Sequence, residues 1–360
     1  MRGCRGCGTG TLVRVLDLGK MPAADDFPAI DAIPDAAETG HPLGMDLCRT
    51  CGLAQLAEDD TVTAEPRAVE PQALRDQAAD AVSRVTAAGW LRGRTVREFG
   101  SPHGGSWLPL LGAQGFVETA TGAADVVLDC FGIMHEPDQR AAFARRAAAT
   151  ARGGVLLLQF HSLHTIVAQQ QWTALRHGHF AYYSLTALRA LLSAAGMSVA
   201  TAWEFDLYGG TVLVAAVHAP IEPDDTVLRI LAAESAVTEP DTLRALQDAA
   251  DRQARALRAW LERETSSGRS VYAYGAASRA VALLHLAGVH RGLLTAVADA
   301  SPAKQGRRMP GTDVPIIDPA ALVAAQPDRV LLTLPDLLPE VRARLPELDG
   351  RWVVEVPGSH

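Results

Sequence analysis

"VREFGSPHGGSWLPLLG", residues Val96 to Gly112, decides how this chain is read. A short β-prone run, "TVREF", meets a glycine-rich turn. An apolar run with helical spacing follows. Strand, glycine turn and helix in this order begin many nucleotide- or S-adenosylmethionine (SAM)-binding sheets. His103 stands in the turn where an acid is often found.

The alternation continues downstream. "ADVVLDCFG" (Ala124–Gly132) reads as a strand, "DQRAAFARRAAAT" as a helix ended by Gly153-Gly154, and "GVLLLQF" as a strand. "LTALRALLSAAG" is a helix, and "GTVLVAAVH" closes the unit as a strand. Such alternation predicts an α/β sheet domain. Between the helix "SWLPLLGAQG" and the strand "ADVVLDC" there is only "FVETATGA". That leaves no room for a strand, a helix and a further strand, a unit on the order of 30 residues that SAM domains carry at this point.

A long helix follows. Leu243, Leu246, Ala250, Ala254, Leu257 and Leu261 fall on one face of it, as expected of a strut between domains. "SVYAYGAASRAVALLHLAG" (Ser270–Gly288) repeats the strand, glycine turn and helix, and "TAVADAS", "RVLLTL" and "RWVVEV" supply further strands of a second parallel sheet. Its turn places Tyr274, Gly275 and Arg279 where backbone N–H groups and a guanidinium can hold phosphate. Lys304, Gln305, Gly306 and Arg307 form a second polar turn.

At the other end, "CRGC" and "CRTC" pair Cys4 with Cys7 and Cys48 with Cys51. Two such knuckles predict one tetrahedral, structural Zn²⁺ with no open position. The first ~60 residues are too few for a large core, and such a staple is what a small module needs. The chain has 360 residues, 48% of them hydrophobic, and a formal net charge of -8. It has two lysines, Lys20 and Lys304, and no basic run, which argues against a nucleic-acid partner. No apolar run approaches the ~20 residues of a membrane span, and "MRGCRGCGTG" has no signal-peptide core. A cytoplasmic protein with free or metal-bound thiols is expected.

These pieces resemble the SAM-dependent C-methyltransferases of deoxysugar biosynthesis. The matching stretches are "CRGCG", "LDLGKMP", "CRTCGLAQL", "GHFAYYSLTAL", "YGGTVLV", "VYAYGAASRAVALL" and "ADASPAKQGRRMPGTDVPI". The resemblance implies a zinc-binding N-terminal module, a SAM-binding middle domain and a C-terminal Rossmann-like domain that helps hold a nucleotide-sugar. It also marks departures. The family's first strand ends E-x-G-x-x-x-G. Here Glu98, Gly100 and Gly104 match, but His103 replaces the acid before the last glycine. The family's Y-H-E-H-F-x-Y stretch is "RHGHFAY". Arg176 replaces the tyrosine and Gly178 the glutamate, while His177 and His179 remain. His135 matches a family histidine at a strand end. The family's tyrosine-bearing loop corresponds to "EPRAVEPQ", which has no tyrosine.

The expected fold is therefore α/β, with a zinc-binding module (1–60), a truncated methyltransferase-like Rossmann domain (61–220), a helical connector (221–268) and a second Rossmann-like domain (269–360). His179, His135, His177 and Arg176 are the candidate catalytic residues, on acid/base and anion-binding grounds. His161 could line the same cleft, and His164 could share a metal with it. Glu98, Gly100 and Gly104 mark an eroded cofactor turn, and Glu118 is a candidate ribose acid. Tyr182, Tyr274, Arg279 and Lys304 are candidate substrate contacts. The expectation is an enzyme acting on a small molecule, such as a nucleotide-sugar, by SAM-independent elimination, isomerisation or cyclisation. A true C-methyltransferase and a non-catalytic partner protein are the alternatives.

Overall fold

The computed structural model describes residues 3–33, 38–61, 70–101 and 105–358. Its strands form three sheets. The first is antiparallel: β1 (Leu12–Met21), β2 (His41–Cys48) and β3 (Ala54–Leu56).

The second sheet contains β4 (Thr95–Phe99), β5 (Val117–Glu118), β6 (Ala124–Cys130), β7 (Thr150–His161), β9 (Ser198–Phe205) and β10 (Thr211–Val217). β8 (Ala181–Tyr182), which comes between β7 and β9 in the chain, joins the first sheet instead. There Ala54 pairs with Tyr182 and Gln55 with Ala181. The second sheet runs β5-β4-β6-β7-β10-β9. Its first four strands are parallel, and β10 runs antiparallel to β7 and β9. The chain reverses direction across the sheet between β4 and β6. The carboxyl ends of those strands open a switch-point crevice, where open α/β sheets bind ligands.

The two sides of that crevice are unequal. On one side, β6, β7 and β10 are long and buried, with Val127, Leu128, Leu156, Leu158 and Val214 in the core. On the other, β4 is followed by the five-residue helix α2 (Leu108–Gly112) and the two-residue β5. Among the described residues no strand lies beyond β5. The short linker "FVETATGA" leaves too little chain for one.

The third sheet is wholly parallel, in the order β13-β12-β11-β14-β15. Its strands are β11 (Val271–Tyr274), β12 (Val297–Ala298), β13 (Ile316–Ile317), β14 (Arg329–Leu332) and β15 (Trp352–Val353). The helices before it are α1 (Gln72–Ala87), α3 (Gln139–Ala149), α4 (Leu163–Ala168), α5 (Leu185–Ala194), α6 (Asp225–Ala233) and α7 (Pro240–Ser266). Those around it are α8 (Ser278–Leu286), α9 (Pro319–Ala325) and α10 (Leu338–Arg344). The start of α7 buries Leu243, Leu246 and Ala250 among Val15, Leu16 and Met45 of the first sheet. Its end buries Leu257, Trp260 and Leu261 against the third sheet. It is a strut about 40 Å long, at 1.5 Å rise per residue. Among the described residues no helix is long and apolar enough to cross a membrane.

The N-terminal module also reaches the third sheet directly. Ala29 bridges Arg307, Phe27 is buried in the C-terminal core, and buried Arg308 forks onto Glu38 at 2.6–2.7 Å. The module thus touches both larger sheets, through Cys4, Cys48 and Leu53 in the core shared with the second and through Phe27, Ala29 and Glu38 at the third.

Candidate active site

The four cysteines of the two knuckles converge. Their Sγ atoms all lie within 4.8 Å of one another. The Cys4–Cys51 and Cys7–Cys48 pairs are 3.6 Å apart. Zinc–sulfur bonds of about 2.3 Å give tetrahedral edges of about 3.8 Å, so the four thiols fit Zn²⁺. Each knuckle turns on a glycine after its second cysteine: Gly8 (φ 78°) and Gly52 (φ 74°) adopt the left-handed conformation. Their N–H groups donate to the carbonyls of Cys4 and Cys48, both at 2.9 Å. Contact with the Cys51 thiol draws the Cys4 thiol below its ordinary range, toward the thiolate a metal needs. Four protein sulfurs leave no position for a substrate, so the centre is structural. Cys130 is apart from it, buried in β6, where desolvation pushes its thiol up.

A cavity of about 250 Å³ lies where the second and third sheets meet. Four of the chain's five tyrosines line it: Tyr182, Tyr183, Tyr208 and Tyr274. So do His161, Arg176, His179, Arg279 and Lys304.

The segment from Arg176 to Tyr182 is held from several sides. The Gly178 N–H donates to Asp59 (2.8 Å), the Phe180 N–H donates to the Met134 carbonyl (2.7 Å), and β8 pairs with β3. The Tyr182 hydroxyl accepts from the Arg176 N–H at 3.1 Å. Gly178 has φ 78°, which sends its two neighbours apart. His179 faces the cavity, where its Nε2 accepts from Arg176 Nε at 2.8 Å. That bond places the imidazole proton of neutral His179 on Nδ1.

His135 stands behind His179. The rings are 4.5 Å apart at 85°, and His135 Nδ1 donates to the Gly178 carbonyl at 3.0 Å. His177 is not brought to the cavity. It is buried against β2, its Nε2 donates to the Pro42 carbonyl at 3.2 Å, and burial pushes its pKa down. The cleft expected of three histidines therefore holds His179, with His135 as its support. His161 adds a third ring at the cavity wall. Burial, then the nearby Arg279 and Arg176 guanidiniums, push it down to about 3. His164 lies in α4, does not line the cavity, and forms no metal cluster with His161 among the described residues.

The glycine turn after β4 presents a different picture. Gly104 and His103 lie outside the described residues, as does most of "EPRAVEPQ". Glu98 is engaged in structure: its carboxylate accepts from the Ser106 hydroxyl (2.6 Å) and the Trp107 N–H (2.8 Å), tying down the start of α2. Gly100 has no positive φ and open space where a Cβ would be, so its backbone does not require glycine. Glu118 is exposed on β5 opposite Val96, three residues before the end of β4, and does not line the cavity. Among the described residues of this turn, Glu98 is taken up by Ser106 and Trp107, and Glu118 stands away from the cavity.

The C-terminal turn is occupied by the protein's own groups. Asp299 accepts from the Ala276 and Ser301 N–H groups, both at 2.7 Å, and Lys304 Nζ donates to the Ala276 carbonyl at 2.9 Å. The phosphate cradle expected from "YGAASRA" is thus partly filled by a carboxylate. Gly275 (φ 97°) is required there, since a Cβ would meet Thr333 Oγ1 at 2.5 Å. Arg279 reaches past the turn into the cavity, 5.7 Å from the centre of the Tyr208 ring.

Sequence reasoning missed Tyr208 and Phe131. Both take positive φ (55° and 63°), rare for bulky side chains, and their rings meet edge to face in the cavity wall. Such strain collects at functional sites. The Gly209-Gly210 pair after Tyr208 was the available signal.

Comparison with known proteins follows the same lines. A family model described as "C-methyltransferase C-terminal domain" matches residues 206–357, and one described as "Putative zinc binding domain" matches residues 4–65. C-methyltransferase NovU from Streptomyces niveus is 26% identical over 406 residues, covering 98% of this chain and 95% of that protein. This alignment is longer than the chain, so the chain lacks segments that the relative has. Among solved structures, magnesium protoporphyrin IX methyltransferase from Synechocystis PCC 6803, with bound SAH, is similar over 41% of this chain and 84% of its own (TM-score 0.31, 16% identity). A SAM-dependent methyltransferase from Clostridium acetobutylicum is similar over 40% of this chain and 92% of its own (TM-score 0.29, 8% identity).

Proposed function

Taking the chain as a member of the C-methyltransferase family, we propose that it is a biosynthetic enzyme that uses this scaffold for proton transfer without SAM. The observation that carries the reading is an asymmetry at one site. The sheet edge is short on the β5 side, while across the crevice His179 and Arg176 stand bonded in a tyrosine-lined cavity. The substrate is a small molecule of sugar or natural-product metabolism, carrying a carbonyl with an acidic neighbouring C–H.

The chemistry assigned to these residues is limited and balanced. His179 Nε2 holds the lone pair of the ring. A negatively charged substrate draws the Arg176 guanidinium toward itself and frees that lone pair. Nε2 then takes the proton, and the C–H electron pair moves onto the carbonyl oxygen as an enolate. Arg176 carries the developing charge. Return of the proton to another carbon gives isomerisation, and expulsion of a β-substituent gives elimination. His135, bonded to the Gly178 carbonyl, holds the His179 ring in position and touches no substrate. Zn²⁺ fixes the module that carries β3 and takes no part in the step.

The test is His179→Ala. A positioned base contributes about 10²–10⁴-fold, so turnover of the native substrate should fall by that factor with zinc content and folding unchanged. His177→Ala, on the opposite side of Gly178, should keep turnover within a few-fold. Equal activity of wild type and His179→Ala would remove His179 from catalysis and favour a non-catalytic partner role. The second reading, a genuine SAM-dependent C-methyltransferase, is favoured by the near-full-length similarity to NovU. Methyl transfer from labelled SAM would establish it.

A further inference from the structure

The turn that brings His179 to the cavity does not fix its own form. It runs from Arg176 to His179 and closes where the His179 N–H donates to the Arg176 carbonyl at 3.3 Å. Gly178, third in the turn, has φ 78°, the sign a type II turn takes there and a type I turn does not. The two types differ by a flip of the central peptide, here the one between His177 and Gly178. Where the type II form points the Gly178 N–H, the type I form would point the His177 carbonyl. Glycine makes both forms accessible, so a group outside the turn has to select one.

Asp59 stands at that N–H. It lies in the loop after β3, in the zinc-binding module, and its Oδ2 accepts from the Gly178 N–H at 2.8 Å. Its Oδ1 is fixed separately, by the Thr61 N–H at 2.9 Å and the Thr61 hydroxyl at 2.6 Å. The carboxylate is therefore aimed before it meets the turn. A flipped peptide would present a carbonyl oxygen to it, and two acceptors cannot bond. At the other end of the same residue, the Gly178 carbonyl accepts from His135 Nδ1 at 3.0 Å. Gly178 is thus gripped at its N–H by the zinc-binding module and at its carbonyl by the second domain. Asp59 itself does not line the cavity.

We propose that Asp59 is a positioning residue for the proton transfer. Its bond to the Gly178 N–H locks the turn in the form that sets Arg176 Nε against His179 Nε2. This rests on the reading of His179 as the base, and it adds a residue of another module that acts on the base through the backbone alone. The bond is also a specific route by which the module reaches the cavity, separate from the pairing of β3 with β8.

The test reads the imidazole nitrogens of His179 by NMR, in zinc-loaded, full-length protein labelled with ¹⁵N-histidine, at a pH where the ring is neutral. The signals are assigned by their loss in His179→Ala. In the wild type, Nε2 should resonate as an unprotonated acceptor, because it takes the Arg176 Nε–H at 2.8 Å. In Asp59→Ala, with zinc still bound, it should move toward the protonated position. Turnover (kcat) of the native substrate should fall about ten- to a hundredfold with KM nearly unchanged, the scale of a misplaced catalytic group. Asp59→Ser, whose one oxygen can keep the loop to Thr61 but not also reach Gly178, should behave in the same way, and it carries the test should Asp59→Ala fail to load zinc. Thr61→Val loses one bond inside the Asp59 loop and keeps the bond to Gly178, so its His179 signals should stay in place. Unchanged His179 signals in the zinc-loaded Asp59 variants would overturn the proposal. So would an equal shift in Thr61→Val, which would trace the effect to folding of the loop. The two readings fail separately: full turnover in His179→Ala removes the base, while the nitrogen signals of the Asp59 variants still decide whether Asp59 holds the turn.

Discussion

Single residues carry both the chemistry and much of the stability of the middle sheet. Asp129 is fully buried at the end of β6 and accepts from Arg146 Nε at 2.7 Å and from the Gly132 and Ile133 N–H groups at 2.8 and 2.9 Å. Arg146 also reaches Glu136 at 2.9 Å and lies 4.2 Å over the Phe99 ring. Arg146→Met would strand a buried carboxylate. It should cost about 3–5 kcal/mol, read by urea denaturation, and a loss below about 1 kcal/mol would contradict this account of the network. His161 gives a pH signature. Its folded pKa, about 3, lies below the ordinary 6.5, so between these values the unfolded chain binds a proton that the folded chain does not. Stability from this group is therefore present above pH 6.5 and is lost as pH falls toward 3. His161→Asn should flatten the fall in denaturation midpoint over that window, and an unchanged slope would show that His161 takes its proton without cost. At this scale the sequence revealed residue types but not their directions. Both His177 and His179 are candidates in "RHGHFAY", His179 the first of them, and the left-handed Gly178 turns them to different sides.

At the scale of elements, the zinc module is part of the cavity's frame. Three positions after Cys51, Ala54 begins β3, and β3 pairs with β8, which ends on the cavity residue Tyr182. Gln55 adds to this link by accepting from the Arg5 N–H at 2.8 Å, between the two cysteines of the first knuckle. Metal binding should therefore order the segment that holds Arg176 and His179, since binding energy in such modules is folding energy. Stripping zinc with a strong chelator should abolish turnover and raise hydrogen exchange at residues 181–182, with both effects reversed by Zn²⁺. Full activity and unchanged exchange in demonstrably metal-free protein would break the link. The knuckles and the strand–turn–helix units were legible because their signals are local spacings. The β3–β8 pairing was not, because a two-residue strand such as β8, whose Tyr182 meets Ala54 with β4 to β7 between them in the chain, leaves no periodicity to read.

For the whole molecule, the sequence already disclosed three α/β or zinc-stapled units and a connecting helix, since hydrophobic periodicity survives at that length. It did not disclose that the N-terminal module touches both larger sheets, because the ties that do this, such as Arg308 to Glu38, are isolated long-range contacts. Nor did it show that the cavity is built jointly by the second and third sheets. What it did foretell was a deficit, the missing unit after α2, and the two-residue β5 at the sheet edge agrees with the short linker. The central claim is that this deficit has removed SAM binding while the cavity across the switch point still works. Calorimetric titration of zinc-loaded, full-length protein with SAM and with SAH tests it most directly. The account predicts no saturable binding tighter than about 1 mM, some 4 kcal/mol of affinity. Saturable binding near 1 μM, about 8 kcal/mol, would contradict it and make the chain a working methyltransferase.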